Sequence, residues 1–286
     1  MSSNPTNLMR GKRVILSGAS RGIGRETALA LGRMGADLSF IVRDRERGGI
    51  VADEVRALGM HGDVEVFIAD LSSMADVRRV AAEVLAKHER IDVLVNNAGA
   101  LLMDRQVTKD GYEATFATNH LAYFLLTQLL LGAVKKAPAG RIVNVASEAH
   151  RRGSLKFDDL MGEKKYVGWQ AYSTSKLANV LFTGELARRL EHTNVTTNSL
   201  HPGVIASGFG RNNAGVVGFF AKVVSPFLMS SANGAKTTVF LASDPSVNTV
   251  TGKYFDKSKP KTPSREARDP SIAKRLWDVS DELVAR

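Results

Sequence analysis

The chain of 286 residues contains no cysteine, which excludes disulfides, thiolate nucleophiles and cysteine-ligated zinc. Long apolar runs are missing as well. The two that come closest, 121–134 and 216–229, are broken by Thr127 and Gln128 and by Lys222 and Pro226, and both fall short of the roughly 20 residues a bilayer span needs. The polar start, Met1-Ser-Ser-Asn-Pro-Thr-Asn7, has no signal-peptide core. The expectation is a cytoplasmic protein with no transmembrane segment and a polar extension over 1–10. The six histidines show no metal-ligand spacing, so no metal site is expected. Acids are the scarcer charge, 29 against 39 Lys and Arg, for a net charge of +10. The basic residues are dispersed among acids, as in Arg43-Asp-Arg-Glu-Arg47, and no nucleic-acid module accompanies them. The excess therefore reads as a solvated basic surface, suited to a small anionic ligand, rather than a nucleic-acid footprint.

Short β-branched runs alternate with helical stretches throughout the chain. Strands are expected over 13–16, 37–42, 63–69, 91–95, 141–146, 195–200 and 253–255, and helices over 22–34, 46–58, 74–87, 111–134, 171–191 and 232–241. A last helix should open at Asp269-Pro270, a cap followed by a first-turn proline, with Ile272, Leu276, Val279 and Leu283 as its apolar set. Residues 257–263 read as a loop. This order predicts an α/β fold of one domain over 1–286, a doubly wound parallel sheet of about seven strands with helices on both faces. Ligands of such sheets bind beyond the carboxyl ends of the strands.

Gly18, Gly22 and Gly24 follow the first strand and open the first helix, where glycine permits a tight turn and lets a phosphate approach backbone amides. The same residues satisfy Gly-x-Ser-x-Gly through Ser20, the nucleophile elbow of α/β-hydrolases, and that reading stays open at this point. Farther along, Tyr172 and Lys176 lie four residues apart in a helical stretch, which puts phenol and ammonium on one face. A fixed positive charge beside a tyrosine favours its phenolate, so the pair is expected to work as a proton-transfer device. Asn96-Asn-Ala-Gly99 lies between the two motifs.

Together these residues resemble the short-chain dehydrogenase/reductase family, from Gly11 to Ala285. The matching contexts are Phe116-Ala-Thr-Asn119-His, Val143-Asn-Val-Ala-Ser147, Tyr172-Ser-Thr-Ser-Lys176 and Pro202-Gly203. The resemblance implies a Rossmann-type fold and a nicotinamide cofactor. Its pyrophosphate would meet the turn from Ser17 to Gly24, including Gly18, Ser20, Arg21, Gly22 and Ile23, and its adenine would meet Asp70 and Leu71. Asn97, Ala98 and Gly99 would lie beside it, and Pro202, Gly203 and Ser207 would grip the nicotinamide end. Asn119, Ser147, Tyr172 and Lys176 would form the catalytic tetrad, with Tyr172 and Lys176 also touching the cofactor. Asn119-His-Leu, Ser175-Lys-Leu-Ala-Asn-Val-Leu-Phe182, Glu185-Leu-Ala-Arg-Arg-Leu190 and Ala273-Lys-Arg-Leu-Trp277 are similar to the retinol dehydrogenase-like branch. Ser147 and Tyr172 also have that branch's spacing.

Cofactor choice turns on the end of the second strand, where an acid would bind the ribose 2′-hydroxyl of NAD and an arginine the 2′-phosphate of NADP. Arg43 and Arg21 match the NADP(H) pattern, although Asp44 follows directly. The implied activity is interconversion of an alcohol and a carbonyl on a bulky apolar small molecule, with 203–232 as substrate loop or lid. A cofactor-binding regulator without turnover, and a peripheral membrane protein using 216–229 as an interfacial patch, are the alternatives. The apolar stretch near 121–131 is open to subunit contact in a homo-oligomer.

Overall fold

A computed structural model describes residues 7–59, 62–203 and 230–285. Ser207, the run 216–229 and most of the expected substrate loop lie outside the described residues. The elements run β1 (Arg13–Ser17), α1 (Gly22–Arg33), β2 (Asp37–Val42), α2 (Arg45–Arg56), β3 (Val64–Ile68), α3 (Met74–Lys87) and β4 (Val93–Asn96). A single turn α4 (Ala114–Phe116), a π-helical turn (Ala117–Leu121) and α5 (Ala122–Lys135) follow. Next come β5 (Gly140–Val145), a 3-10 turn (Glu148–Arg152), α6 (Gly168–Arg189) and β6 (Val195–His201). The chain ends with α7 (Ser231–Ser243), β7 (Tyr254–Asp256), β8 (Lys259–Pro260) and α8 (Pro270–Ala285).

The strands form one sheet in the order β3-β2-β1-β4-β5-β6-β7-β8. Every pairing is parallel except β7 with β8. The strand order reverses between β1 and β4, so the crevice at their carboxyl ends is where an open α/β sheet admits a ligand. Helices cover both faces, which is why the central strands are near-continuous apolar runs rather than alternating ones. All six residues of β5 are buried. One core layer packs α1 and α2 against the sheet through Ala28, Leu31, Val51 and Val55, and the other packs α3, α5, α6 and α8 through Val80, Phe124, Phe182 and Leu276.

The expected loop 257–263 contains an eighth strand, the first correction. Lys257 and Ser258 turn the hairpin with φ of 51° and 59°. Two successive left-handed residues make the tight turn that suits a twisted hairpin, and glycine or asparagine usually marks it. Here neither does. Pro260 is tolerated because β8 is an edge strand. The second correction concerns the helix expected to run unbroken over 111–134. Its backbone widens to π geometry at Ala117–Leu121, and the Ala122 N–H reaches back five residues to the Ala117 carbonyl. The continuous helix Ala114–Lys135 is long and apolar enough to cross a membrane, and 72% of its most apolar window is buried inside the fold. Its apolar surface is that of a core helix.

Candidate active site

The turn after β1 is held from two sides. Ser17 Oγ accepts the backbone N–H groups of Asn97 at 2.9 Å and Ala98 at 3.0 Å, and Asn97 Nδ2 donates to the Ser17 and Gly18 carbonyls at 2.9 and 3.1 Å. Residues after β4 thus pin the glycine turn against the sheet. Gly18 has φ +74° and a Cβ there would stand 2.8 Å from Ala98 Cα, while a Cβ on Gly24 would lie 2.1 Å from the Gly18 carbonyl oxygen. Only glycine fits at either place. The α1 N-terminus has neither a side-chain cap at Arg21 nor an acid in its first turn. Its amide groups and dipole are free to meet an anion, so the turn carrying Gly18, Ser20, Arg21, Gly22, Ile23 and Gly24 fits a dinucleotide pyrophosphate. The hydrolase reading loses ground here, because Ser20 makes no hydrogen bond to a histidine or carboxylate among the described residues.

At the end of β2, Asp44 is already engaged. Its carboxylate caps α2 by accepting the Arg47 N–H at 3.1 Å and pairs with the Arg47 guanidinium at 3.2 Å. Arg43 and Arg21 are exposed, and their guanidinium groups have no hydrogen-bond or ion-pair partner among the described residues. At the end of β3 the Asp70 carboxylate accepts from Ser72 N at 3.0 Å and Ser72 Oγ at 2.8 Å, which shapes the turn beside buried Leu71. Pro202 and Gly203 leave β6 at the same edge of the sheet, Gly203 with φ +91°.

The expected tetrad is brought together by β4, β5, the π turn and α6. Asn119 lies in the middle of the π turn. Its Oδ1 accepts the Ala100 N–H at 2.7 Å, and its Nδ2 donates to the Ala100 carbonyl and to Ser175 Oγ, both at 2.9 Å. Lys176 Nζ donates to the Val145 carbonyl at 3.0 Å. Gly99 leaves room between them, since a Cβ there would lie 3.3 Å from Asn119 Oδ1 and 3.6 Å from Lys176 Nζ. Ser147, just beyond β5, caps the 3-10 turn by accepting the Ala149 N–H at 3.2 Å and hydrogen-bonds Tyr172. Its carbonyl accepts His150 Nδ1 at 2.7 Å, and the next N–H, that of Glu148, donates to His201 Nδ1 at 3.2 Å.

The electrostatics correct one expectation. Lys176 was expected to draw Tyr172 toward its phenolate, but its Nζ turns to Val145 and lies 5.7 Å from the phenol ring centre. Burial wins. The Tyr172 hydroxyl is pushed up to about 12 by desolvation, against the pull of its Ser147 hydrogen bond, and Lys176 is lowered to about 7 by desolvation. Tyr172 is therefore held as a neutral phenol, the form that donates a proton.

Two aromatic residues at the site were not singled out from the sequence. Tyr123 is buried, donates to the Ala98 carbonyl at 2.8 Å and faces Lys176 Nζ at 5.8 Å from its ring centre. Its position four residues after Asn119, in an otherwise apolar run, is the signal that could have found it. Trp169 is 45% exposed and its ring lies 5.6 Å from that of Tyr172. A cavity of about 500 Å³ lined by Phe116, Tyr166, Gln170 and Thr174 also touches α6. Its described lining includes Ala171 but neither Tyr172 nor Lys176. No metal-binding cluster is present among the described residues.

The family model for short chain dehydrogenases matches residues 12–215. Human retinol dehydrogenase 14 is 42% identical over 293 residues, covering 97% of this chain and 87% of its own length. Mouse retinol dehydrogenase 12 is 42% identical over 274 residues, covering 96% and 86%. Among solved structures, a protein from Mycobacterium paratuberculosis aligns with TM-score 0.78 and 32% identity over 96% of this chain and 94% of its own. The Pseudomonas aeruginosa RhlG/NADP active-site complex aligns with TM-score 0.71 and 26% identity, covering 94% and 99%. The nucleotide-side turn, the π turn and the Tyr172 face all lie in stretches that these relatives cover, and the chain belongs to the short-chain dehydrogenase/reductase family, on its retinol dehydrogenase-like branch.

Proposed function

We propose that the protein is an NADP(H)-dependent oxidoreductase that interconverts an alcohol and a carbonyl on a bulky apolar substrate, with Tyr172 as general acid and base. The observation that carries this reading is the face of α6, where a neutral phenol hydrogen-bonded to Ser147 stands one turn from a buried lysine and beside the exposed ring of Trp169. When bound, the nicotinamide supplies the hydride.

The protein supplies position and the proton. In reduction Tyr172 donates its hydroxyl proton to the carbonyl oxygen, and Ser147 hydrogen-bonds the same oxygen as charge builds on it. Lys176, one turn along α6 from the tyrosine, would hold the ribose of the bound cofactor. Asn119 is fixed by Ala100 and Ser175, and in this reading it orders the water that returns a proton to the site. NADP is favoured over NAD because Arg21 and Arg43 are unpaired while Asp44 is committed to its helix. The RhlG neighbour, solved with NADP, agrees with that choice.

Met103, Val167 and Trp169 are exposed large apolar side chains around the start of α6, and the backbone of Met103 packs on Gly168, one turn before Tyr172. Such a wall gains from covering a large apolar substrate. The test is oxidation of NADPH and of NADH against retinal, a polycyclic ketone, a quinone and a short aldehyde, with Trp169→Ala in parallel. The expected result is turnover with NADPH and bulky carbonyls, and a loss in Trp169→Ala of about tenfold in kcat/KM confined to the bulky ones, the scale of one buried aromatic contact. No turnover with any carbonyl, or preference for NADH, would overturn the proposal.

A further inference from the structure

The residue after Asn119 is the centre of a buried polar line that the reaction above does not use. His120 is fully buried among the rings of Phe116, Phe124 and Phe182, at 5.1, 6.3 and 6.1 Å between centres. Its Nε2 lies 2.9 Å from Ser280 Oγ, on the inner face of α8, and its Nδ1 lies 3.4 Å from Asn179 Oδ1, on α6. An amide oxygen only accepts, so Nδ1 carries the proton and Nε2 accepts from the serine hydroxyl. Asn179 then turns its Nδ2 to the Val145 carbonyl at 3.5 Å, the same oxygen that Lys176 Nζ holds at 3.0 Å. The two longer contacts are weak individually, but each group is buried and has these partners at hand. His120 is lowered to about 4 by burial, so the line carries no charge at neutral pH.

A π turn is a rare backbone state that persists only where its surroundings fix it. Here Ala100 and Ser175 hold Asn119, and the contact that holds His120 from farthest along the chain, Ser280, comes from the C-terminal helix. We infer that His120 is a positioning residue through which Ser280 of α8 sets both the π turn carrying Asn119 and the Val145 carbonyl that anchors Lys176. The C-terminal helix is then a working part of the catalytic centre. This rests on the reductase reading for its kinetic consequence, while its structural consequence at Lys176 stands by itself.

The experiment uses the full chain as wild type, Ser280→Ala, His120→Leu and His120→Gln. Glutamine offers an amide N–H toward Asn179 and an oxygen toward Ser280, so it should restore what leucine removes. Two readouts are taken on folded protein, each checked by thermal melting. The first is the Lys176 signal in lysine side-chain carbon NMR, assigned with Lys176→Arg and followed against pH. Tyr172 on α6 and Tyr123 on α5 are the other ionisable groups facing it. The second is kcat against NADPH affinity. Ser280→Ala and His120→Leu should move the Lys176 signal while leaving surface lysines in place. They should also lower kcat by about tenfold, the scale of one lost buried hydrogen bond, with a smaller change in NADPH affinity. His120→Gln should recover most of both. A lower melting temperature with an unmoved Lys176 signal, or equal behaviour of the leucine and glutamine variants, would overturn the inference. A wild type that turns over no carbonyl while its Lys176 signal responds as expected would instead overturn the reductase reading and leave the coupling standing.

Discussion

Lys176→Met should make the cofactor-free protein more stable at neutral pH while abolishing its activity. Lys176 is 3% exposed, and burial lowers it from 10.5 to about 7. The unfolded chain therefore binds more protons at this residue than the folded one across that window, so stability rises with pH between about 7 and 10.5 and is lowest below it. At about 1.36 kcal/mol for each tenfold in proton affinity the whole penalty is about 5 kcal/mol, of which about 4 kcal/mol is felt at pH 7. Methionine removes it with little change of shape. It also gives up the charged hydrogen bond to the Val145 carbonyl, worth about 1.5–3 kcal/mol. The expected net gain is about 1–3 kcal/mol at pH 7, shrinking toward zero or reversing near pH 10 as the lysine of the unfolded chain also loses its proton. Urea unfolding of both proteins at pH 7 and pH 9.5 measures it, with turnover read alongside. A variant no more stable at pH 7, or a difference that does not change with pH, would refute the argument that an uncompensated charge is stored at this position.

The same residue shows what the sequence could and could not disclose. Spacing placed Tyr172 and Lys176 on one helix face because the helical repeat is a local property, and the glycine pattern located the nucleotide turn for the same reason. Which way the ammonium points is decided by the Val145 carbonyl, 31 residues away in sequence, and no local pattern encodes it. The sign of the tyrosine's shift followed from burial rather than from its charged neighbour. Asp44 illustrates the reverse. From the sequence it read only as an acid next to Arg43, and the structure shows it capping α2, which begins at Arg45. The π turn stayed hidden because its cause is tertiary: the residues 117–121 read as ordinary helix, and it is Ala100, Ser175 and Ser280 that engage the side chains of Asn119 and His120. The eighth strand was missed because Lys257 and Ser258 adopt left-handed backbone without glycine to announce it.

Tyr172→Phe keeps the ring beside Trp169 and removes the proton donor, so kcat should fall by about 100-fold or more with NADPH affinity kept, and near-normal turnover at saturating substrate would reject the assignment. Gly24→Ala should weaken cofactor binding and stability together, because its methyl would lie 2.1 Å from the Gly18 carbonyl oxygen and overpacking costs about 1–3 kcal/mol; an unchanged titration by either cofactor would show that the turn is looser than drawn. Arg43→Ala tests cofactor choice. Arg43 is exposed and stands immediately before the cap of α2, and its side chain has no hydrogen-bond or ion-pair partner among the described residues. Stability should be unchanged, whereas a charge-assisted contact to a 2′-phosphate is worth about 1.5–3 kcal/mol, or roughly 10- to 100-fold in NADPH affinity. NADH, which lacks that phosphate, should bind the variant as it binds the wild type, because Asp44 remains tied to Arg47 in both. Fluorescence titration with the two reduced cofactors separates the outcomes: a selective loss of NADPH places the phosphate beside Arg43, and equal losses would assign this arginine to the shared part of the dinucleotide instead.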